Sequence, residues 1–491
     1  MSRTTISSKN TNSLIPESKT KNETEFLPSE LKALFGASNC RNLSYQWIVG
    51  VSTDTRTIEK NNIFIAIVGE NHNGHDSIGS AIKKYASVIF IERRYEEAIL
   101  NEFPEFPFVI VDDTIDALGK LANYHRRKFS IPIIAIGGSN GKTTTKELTS
   151  YLLAQKYSVL KTYRNYNNLI GVPLTLLNIS PQHSCVVIEI GTNTYGEIEK
   201  LSTIVEPTHG LITNIDKEHL LEFVDLNGVE KEETTLFHFL RSTEGHLFVN
   251  TDDQRLKKYN TQNEYSTSIG FTNGATVKGK VAFDTQFRPT LTVTYNSVSF
   301  SAKLRLIGLS SAINALAASA IALKLGLTNQ MIVKGLESYE PEVTETGYGR
   351  MVLEEFAGFH VINDCYNANP ASMIMALRTL KELPNSGKKI AVLGDMLELG
   401  QVSLNEHREI LQYALDCCDQ ILLIGKEFAQ AYEELPETIQ NVHHFSTNTM
   451  LVRALIPMMS KGNYTLVKGS RGLKLEEVLK GLKKHFTISL Y

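Results

Sequence analysis

The run Gly137-Gly138-Ser139-Asn140-Gly141-Lys142-Thr143-Thr144 carries the residue types and spacing that most directly point to chemistry. Glycines let backbone N–H groups turn inward around phosphate oxygens, and a helix N-terminus adds a favourable dipole. Lys142 would neutralise the β- and γ-phosphates of a nucleotide, and the Thr143 hydroxyl would ligate magnesium. The general phosphate-loop pattern has a glycine five positions before Gly141, where Ile136 stands, so this is the shortened G-x-x-G-K-[ST] form. The candidate nucleotide contacts are therefore Gly138, Ser139, Asn140, Gly141, Lys142, Thr143 and Thr144.

Two further residues lie at the ends of apolar runs. Glu189 closes Val187-Ile188-Glu189, where a carboxylate beside the phosphate turn of a parallel sheet is placed to hold Mg²⁺. His219 follows Ile212-Thr213-Asn214-Ile215; a lone histidine is more often structural than a ligand, and its spacing alone does not decide. Asn167-Asn168-Leu169-Ile170-Gly171-Val172-Pro173 reads as a polar loop entering a helix.

These residues need a scaffold, and the apolar periodicity supplies one. Ile131 to Ile136 is apolar enough for a buried parallel strand, and the helix after the glycine turn carries Leu148, Tyr151 and Leu152 on one face. Buried strands are expected at Cys185 to Ile190 and Gly210 to Ile215, an antiparallel appendage at Ala275 to Leu306, and a buried helix from Ser311 to Leu325. Before this segment, short strands at Ile63 to Val68, Ser87 to Ile91 and Phe108 to Val111 precede a helix with Leu118, Leu121, Ala122 and His125 on one face. A charged, mostly acidic stretch from Glu92 to Glu105 separates the last two strands. After it, strands at His360 to Ile362, Lys389 to Leu393, Gln420 to Ile424 and Tyr464 to Val467 alternate with helices. The expectation is an α/β protein of three domains: a small N-terminal α/β domain (26–129), a central phosphate-loop ATPase-like parallel sheet (130–338) and a C-terminal Rossmann-like domain (339–491). Residues 1–25, rich in Ser, Thr, Asn and Lys, read as a disordered tail.

Composition narrows the class. At 491 residues the chain is too long for one core, and 42% hydrophobic with 21% charged residues is ordinary for a globular protein. A net charge of -3 gives no case for a nucleic-acid or membrane-surface partner. The nearest basic cluster, His125-Arg126-Arg127-Lys128, closes a helix and suits its dipole. Five cysteines without a CxxC argue against a disulfide framework or a zinc site and fit a reducing cytoplasm. No apolar run has the length of a membrane span, and no secretory signal is legible.

Taken together, the pieces resemble the Mur ligase family from about Val51 to Glu476. The shortened loop, the Asn-Asn-Leu-Ile-Gly-Val-Pro run and the Glu189 and His219 strands come in that family's order and spacing. Asn363-Asp364-Cys365-Tyr366-Asn367-Ala368-Asn369-Pro370, Leu393-Gly394-Asp395-Met396-Leu397-Glu398-Leu399-Gly400 and Lys468-Gly469-Ser470-Arg471 resemble its dipeptide-adding branch. The resemblance implies ATP- and Mg²⁺-dependent joining of D-alanyl-D-alanine to UDP-N-acetylmuramoyl-tripeptide through an acyl phosphate, in peptidoglycan synthesis, by a cytoplasmic monomer. It implies Lys142, Glu189, His219 and Glu233 as catalytic residues and Thr143, Glu189 and His219 as metal ligands. It places adenine and ribose against Asn314 and Asp364, and phosphate against Arg350. Substrate contacts would come from Asp54, Thr55, Arg56, His75, Asn167, Tyr366, Asn369 and Arg471. The His72 and His75 pair has metal-like spacing, but without further ligands nearby a turn role is the expectation.

Three positions depart from the family. Many members carry a carbamylated lysine fourteen residues after the metal histidine, and here that position is Glu233. Either Glu233 supplies the negative charge directly, or it belongs to a solvated acidic face and Lys231 is modified instead. Ser310-Ser311 stands where the family has His-Asn, and Asn73 where it has aspartate. Competing readings are a sister or folylpolyglutamate-type ligase on the same plan, and a nucleotide-dependent binder of the wall precursor without catalysis. Retention of Lys142, Thr143, Glu189 and His219 argues against the last.

Overall fold

The computed structural model describes residues 22–488 apart from 45–46, 70–71, 262, 342–346, 357 and 385–386. Most of the expected tail lies outside these residues, but its last part is ordered. Asn22 exchanges two hydrogen bonds with the Val51 backbone, at 2.9 and 3.1 Å, and Glu25–Phe26 pairs antiparallel with Ile48–Val49. A polar composition reads as solvated, yet here the polar side chains satisfy backbone groups of the neighbouring strand.

The first large sheet has the order Cys40–Arg41, Phe108–Val111, Val88–Glu92, Ile63–Ile65, Val51–Ser52. The acidic stretch after Val88–Ile91 is not all loop. Glu92 ends a strand, and Glu96–Glu102 forms a helix that buries Ile99. Helix Thr114–Arg126 buries Leu118, Leu121, Ala122 and His125, as a helical period requires. Its basic end binds another element: Arg126 donates to the carbonyls of Val205 and Glu206 at 2.8 and 2.7 Å, at the C-terminus of helix Glu197–Val205.

The central sheet has nine strands, in the order Val298–Lys303, Pro289–Tyr295, Val277–Phe283, Ser266–Gly270, His246–Asn250, His209–Ile212, Ile133–Gly137, Cys185–Glu189, Val159–Lys161. Strand Ile133–Gly137 sends Ile133 and Ala135 into the core on one face and Ile134 and Ile136 into the core on the other. Burial on both faces is why it reads as a continuous apolar run. The expected antiparallel appendage is not separate. Its first strand joins the parallel part through Ile269↔Val277 and Gly270↔Lys278, so the hairpins extend the same sheet. The Ala-rich helix Leu309–Lys324 is buried against the phosphate-loop helix Lys142–Leu153.

The last sheet runs Val352–Phe356, Phe359–Asp364, Tyr464–Lys468, Lys389–Gly394, Gln420–Ile424, Val442–Phe445. Its four inner strands are the ones the apolar pattern locates. The two edges escape that pattern because one side of each lacks a partner strand, and polar residues such as Glu354, His443 and His444 interrupt the run. Among the described residues no helix is long and apolar enough to cross a membrane, and all five cysteines are free.

Candidate active site

Strand Ile133–Gly137 delivers the phosphate loop between its neighbours His209–Ile212 and Cys185–Glu189, at the carboxyl ends of parallel strands. Gly138 and Gly141 adopt φ of 106° and 82°. A Cβ on Gly138 would come within 2.4 Å of Thr213 Oγ1, so the turn requires glycine on both counts. The first three loop amides are tied to protein. Gly138 N–H donates to Glu233 Oε2 at 2.7 Å, Ser139 N–H to the Asn214 carbonyl at 2.9 Å and Asn140 N–H to Asn214 Oδ1 at 2.9 Å. The Ser139 hydroxyl is also internal, exchanging hydrogen bonds with the Asp216 backbone. The amides of Lys142, Thr143 and Thr144 open helix Lys142–Leu153 and have no carbonyl one turn back, which leaves them for an anion.

Lys142 Nζ lies over the loop, donating to the Gly138 carbonyl and 3.5 Å from Glu218 Oε2. Burial opposes its charge, but Glu218, Glu233 and Glu189 outweigh that and lift its pKa above the ordinary lysine value. Burial pushes the Glu233 carboxyl up to about 7, against the pull of Lys142 and with the help of Glu218. Glu189 Oε1 accepts from Asn167 Nδ2 at 3.0 Å, so Asn167 orients the carboxylate from the polar loop. One oxygen each on Glu189, Glu218 and Glu233 is buried without a hydrogen-bond partner among the described residues. These three carboxyls surround Lys142, and a second lysine, Lys146, lies 3.7 Å from Glu189 Oε2.

The described residues contain no preformed cluster of three or more acidic, His or Cys groups of metal-binding geometry. That agrees with the chemistry of Mg²⁺, which takes one or two carboxylates and completes its shell with water and substrate phosphates. Glu189 Oε2, buried without a hydrogen-bond partner among the described residues, has the chemistry of such a carboxylate ligand.

His219 sits in left-handed backbone at φ 46°, and its Nδ1 is 2.6 Å from Glu398 Oε2 on the last sheet's side of the cleft. Burial works against its protonation, but Glu398 and Glu218 raise its pKa above the ordinary value. A second bridge crosses the same cleft: Asn369 Nδ2 donates to Asn140 Oδ1 at 2.9 Å. Lys217 Nζ meets Glu406 Oε1 at 2.5 Å as a third.

Asn314, on helix Leu309–Lys324, accepts from Thr145 Oγ1 at 3.3 Å and packs on Gly141, lining a pocket with Asn250, Asp252 and Phe271. Ser311, where the family has asparagine, spends its hydroxyl on the Ile307 carbonyl at 2.6 Å. Asp364 accepts from Met351 N–H at 3.1 Å and from Lys468 Nζ at 2.7 Å. The Arg350 guanidinium stacks 3.8 Å above the Tyr366 ring, with Arg471 at 5.6 Å from the same ring. Asp54 and Arg56 form an exposed pair at 2.7 Å, and the Thr55 carbonyl accepts from Lys84 Nζ at 2.7 Å. His75 Nδ1 meets Asn73 Oδ1 at 2.8 Å and its Nε2 accepts from Glu92 N–H at 3.0 Å. Both ring nitrogens thus have partners within this first domain.

Two participants escape a reading of the sequence. Lys146 is fully buried, donates to the carbonyls of Thr162 and Arg164 at 2.9 and 3.0 Å, and lies 3.7 Å from Glu189 Oε2. Its place four residues after Lys142, on one helical face, is the available signal. Glu218 is masked by its neighbour His219. Lys231 is exposed, 6.0 Å from the Tyr195 ring, whereas Glu233 is 1% exposed under the loop.

A shortened phosphate loop, buried carboxylates around its lysine and a second α/β unit bridging onto the loop define a nucleotide-dependent ligase. Residues 136–322 match the Mur ligase middle domain and 349–471 the Mur ligase, glutamate ligase domain. The chain belongs to the Mur ligase family. It is 32% identical to the UDP-N-acetylmuramoyl-tripeptide–D-alanyl-D-alanine ligase of Bacillus subtilis, over 89% of this chain and 93% of that one. The ligase of the same name from Haemophilus influenzae is 33% identical, over 88% and 93%. Among solved structures, MurF from Acinetobacter baumannii superposes with a TM-score of 0.84 at 28% identity, covering 94% of this chain and 100% of that one. The MurF ligase of Thermotoga maritima in complex with ADP gives 0.76 at 25% identity, covering 89% and 98%.

Proposed function

We propose that this chain joins D-alanyl-D-alanine to UDP-N-acetylmuramoyl-tripeptide at the expense of ATP, forming the pentapeptide precursor of peptidoglycan. The observation that carries the reading is the set of buried carboxylates of Glu189, Glu218 and Glu233 around Lys142, each with one oxygen that accepts no hydrogen bond among the described residues, beside a phosphate loop with free helix-end amides. The relatives named for this reaction match nearly their whole length to this chain, which supports the same substrates.

The division of labour follows the three sheets. Residues 26–129 hold the UDP end, with Asp54, Thr55 and Arg56 at an exposed turn; 130–338 hold ATP; 339–491 close over it and receive the dipeptide near Tyr366, Asn369 and Arg471. Amides of Lys142, Thr143 and Thr144 bind the phosphates, and the Lys142 ammonium neutralises the transferring group. Thr143 and Glu189 would hold one Mg²⁺ and His219 a second, and these ions supply charge neutralisation at the phosphates. Glu233 places its carboxyl beneath the loop, at the position of the carbamylated lysine found elsewhere in the family. The tripeptide carboxylate attacks the γ-phosphate to give an acyl phosphate and ADP. The dipeptide amine then displaces phosphate. Contacts such as Asn369–Asn140 hold the cleft shut and exclude water from the acyl phosphate.

The test is phosphate release from ATP with the UDP-linked tripeptide, with and without D-alanyl-D-alanine. Release that needs both, with pentapeptide found by mass, is the expected result. ATP binding without release for either the lysine or the diaminopimelate tripeptide would sink the proposal.

A further inference from the structure

Glu398 belongs to the turn after strand Lys389–Gly394, far in sequence from His219, yet the two side chains meet at 2.6 Å. Two backbone features hold the meeting in place. Leu221 N–H donates to the Glu398 carbonyl at 3.3 Å, and Gly400, at φ 60°, passes so close that a Cβ there would lie 3.2 Å from Leu221 Cα. Both His219 (φ 46°) and Glu398 (φ 67°) occupy left-handed backbone, which strains a residue with a Cβ. Strain of that kind persists where surrounding contacts fix it. An exposed ion pair of no consequence would not need two strained residues and a backbone clamp.

The atom used matters as much as the distance. The carboxylate faces Nδ1, and an imidazole whose Nδ1 carries the proton presents a lone pair at Nε2. Histidines that ligate metals commonly donate their other ring N–H to a carboxylate, which sets the tautomer and the ring plane.

We propose that Glu398 is a positioning residue of the ligase reaction: by accepting a hydrogen bond from the Nδ1–H of His219 when the cleft is closed, it makes Nε2 a ligand for the second divalent cation. The cation site is then completed by an element of the C-terminal sheet and not by the ATP-binding sheet alone. Closure therefore assembles the site, and an open molecule holding ATP lacks one of its two ordered cations. This rests on His219 being a cation ligand, as proposed above.

The test is Mn²⁺ binding to the full chain with a non-hydrolysable ATP analogue, followed by the loss of the free-ion electron paramagnetic resonance signal. Wild type should take up two ions. Glu398→Ala should leave the tighter one unchanged and weaken the other by about 10- to 100-fold, the usual size of such an effect. Glu398→Gln, which retains an acceptor oxygen, should recover most of that loss. His219→Ala is the control that separates the two ideas. If it removes the weaker ion while Glu398→Ala leaves both intact, the positioning role is overturned and His219 keeps its ligand role. If neither variant changes Mn²⁺ uptake, both readings fall.

Discussion

Asn369 Nδ2 donates to Asn140 Oδ1 at 2.9 Å, while Asn369 Oδ1 accepts from Ser372 N–H at 2.9 Å and caps helix Pro370–Glu382. One side chain thus ends a helix of the last sheet and touches the phosphate loop of the central one. The cap fixes the amide plane, so its N–H₂ points at the loop without further support.

The two jobs can be separated. Serine is as good an N-cap as asparagine but too short to reach Asn140. Asn369→Ser should leave thermal stability near wild type and lower kcat/KM by roughly five- to tenfold, the value of one hydrogen bond of about 1 kcal/mol. Asn369→Ala should add a stability loss of about 1 kcal/mol from the missing cap. Equal activity of Asn369→Ser and wild type in steady-state assays would show that the bridge does not matter.

Glu233 and Lys231 give a direct contrast at the position where the family carries its modified lysine. Glu233 is buried and bonded to the Gly138 amide at 2.7 Å; Lys231 points outward. Glu233→Ala should reduce kcat by about 100-fold, the scale of losing a charge placed at a phosphoryl-transfer site. Lys231→Ala should remain within about twofold of wild type, with or without added bicarbonate. Rescue of Glu233→Ala by small carboxylates would strengthen the assignment; full activity without rescue would end it.

The same carboxyl makes stability depend on pH. Its folded value of about 7 lies above the unfolded 4.5, because burial outweighs the Lys142 charge. The folded state therefore holds this proton more tightly. The stability linked to it is complete below about 4.5 and disappears as pH rises through about 7. Glu233→Gln keeps an acceptor for Gly138 N–H and has no proton to lose. The difference in melting temperature, variant minus wild type, should become more positive between pH 5 and pH 8. A flat difference across that range would contradict the raised value.

Lys146 is a buried cation with four partners: the Thr162 and Arg164 carbonyls, Glu147 at 2.9 Å and Glu189 at 3.7 Å. Removing one member of a buried charged set leaves the others uncompensated, at about 3–5 kcal/mol. Lys146→Met should shift the urea midpoint down by that order and weaken nucleotide binding through Glu189. An unchanged midpoint would mean that Glu189 and Glu147 find other partners.

How far the sequence reaches can be judged from these residues. The strand, turn and helix around Gly137 to Thr144 are legible because a doubly buried strand must be uniformly apolar and a phosphate loop must have glycines. Glu189 is legible as a strand-end residue; His219 stands well past the end of strand His209–Ile212, at the start of a short helix. The contacts of Glu398 and Asn369 are not, because they join segments about 180 and 230 residues apart, and no local period encodes which turn meets which. Lys146 is hidden by helix-forming neighbours, since a lysine on a helix is usually solvated. The partners of His75, Asn73 and Glu92, are not legible either, because Glu92 ends a separate strand.

Gly141 allows strain and steric conflict at the loop to be told apart. Its φ is 82°, and a Cβ would lie 2.5 Å from Asn314 Oδ1, on the helix that walls the nucleotide pocket. Alanine there carries the left-handed penalty of about 1–2 kcal/mol and must also push Asn314 or the loop aside. Gly274, at φ 98°, has nothing within 4 Å of where a Cβ would stand, so Gly274→Ala carries the backbone penalty alone. Gly274→Ala should lose about 1–2 kcal/mol of stability in chemical denaturation, and Gly141→Ala more than that, by the cost of displacing Asn314 or the loop. Only Gly141→Ala should weaken ADP binding by calorimetry, by about tenfold or more, because the displaced atoms belong to the loop and helix proposed to hold the phosphates and the base. Wild-type ADP affinity in Gly141→Ala would mean that the loop relaxes at no cost to its anion site, and that the close fit of Asn314 to Gly141 has no part in binding.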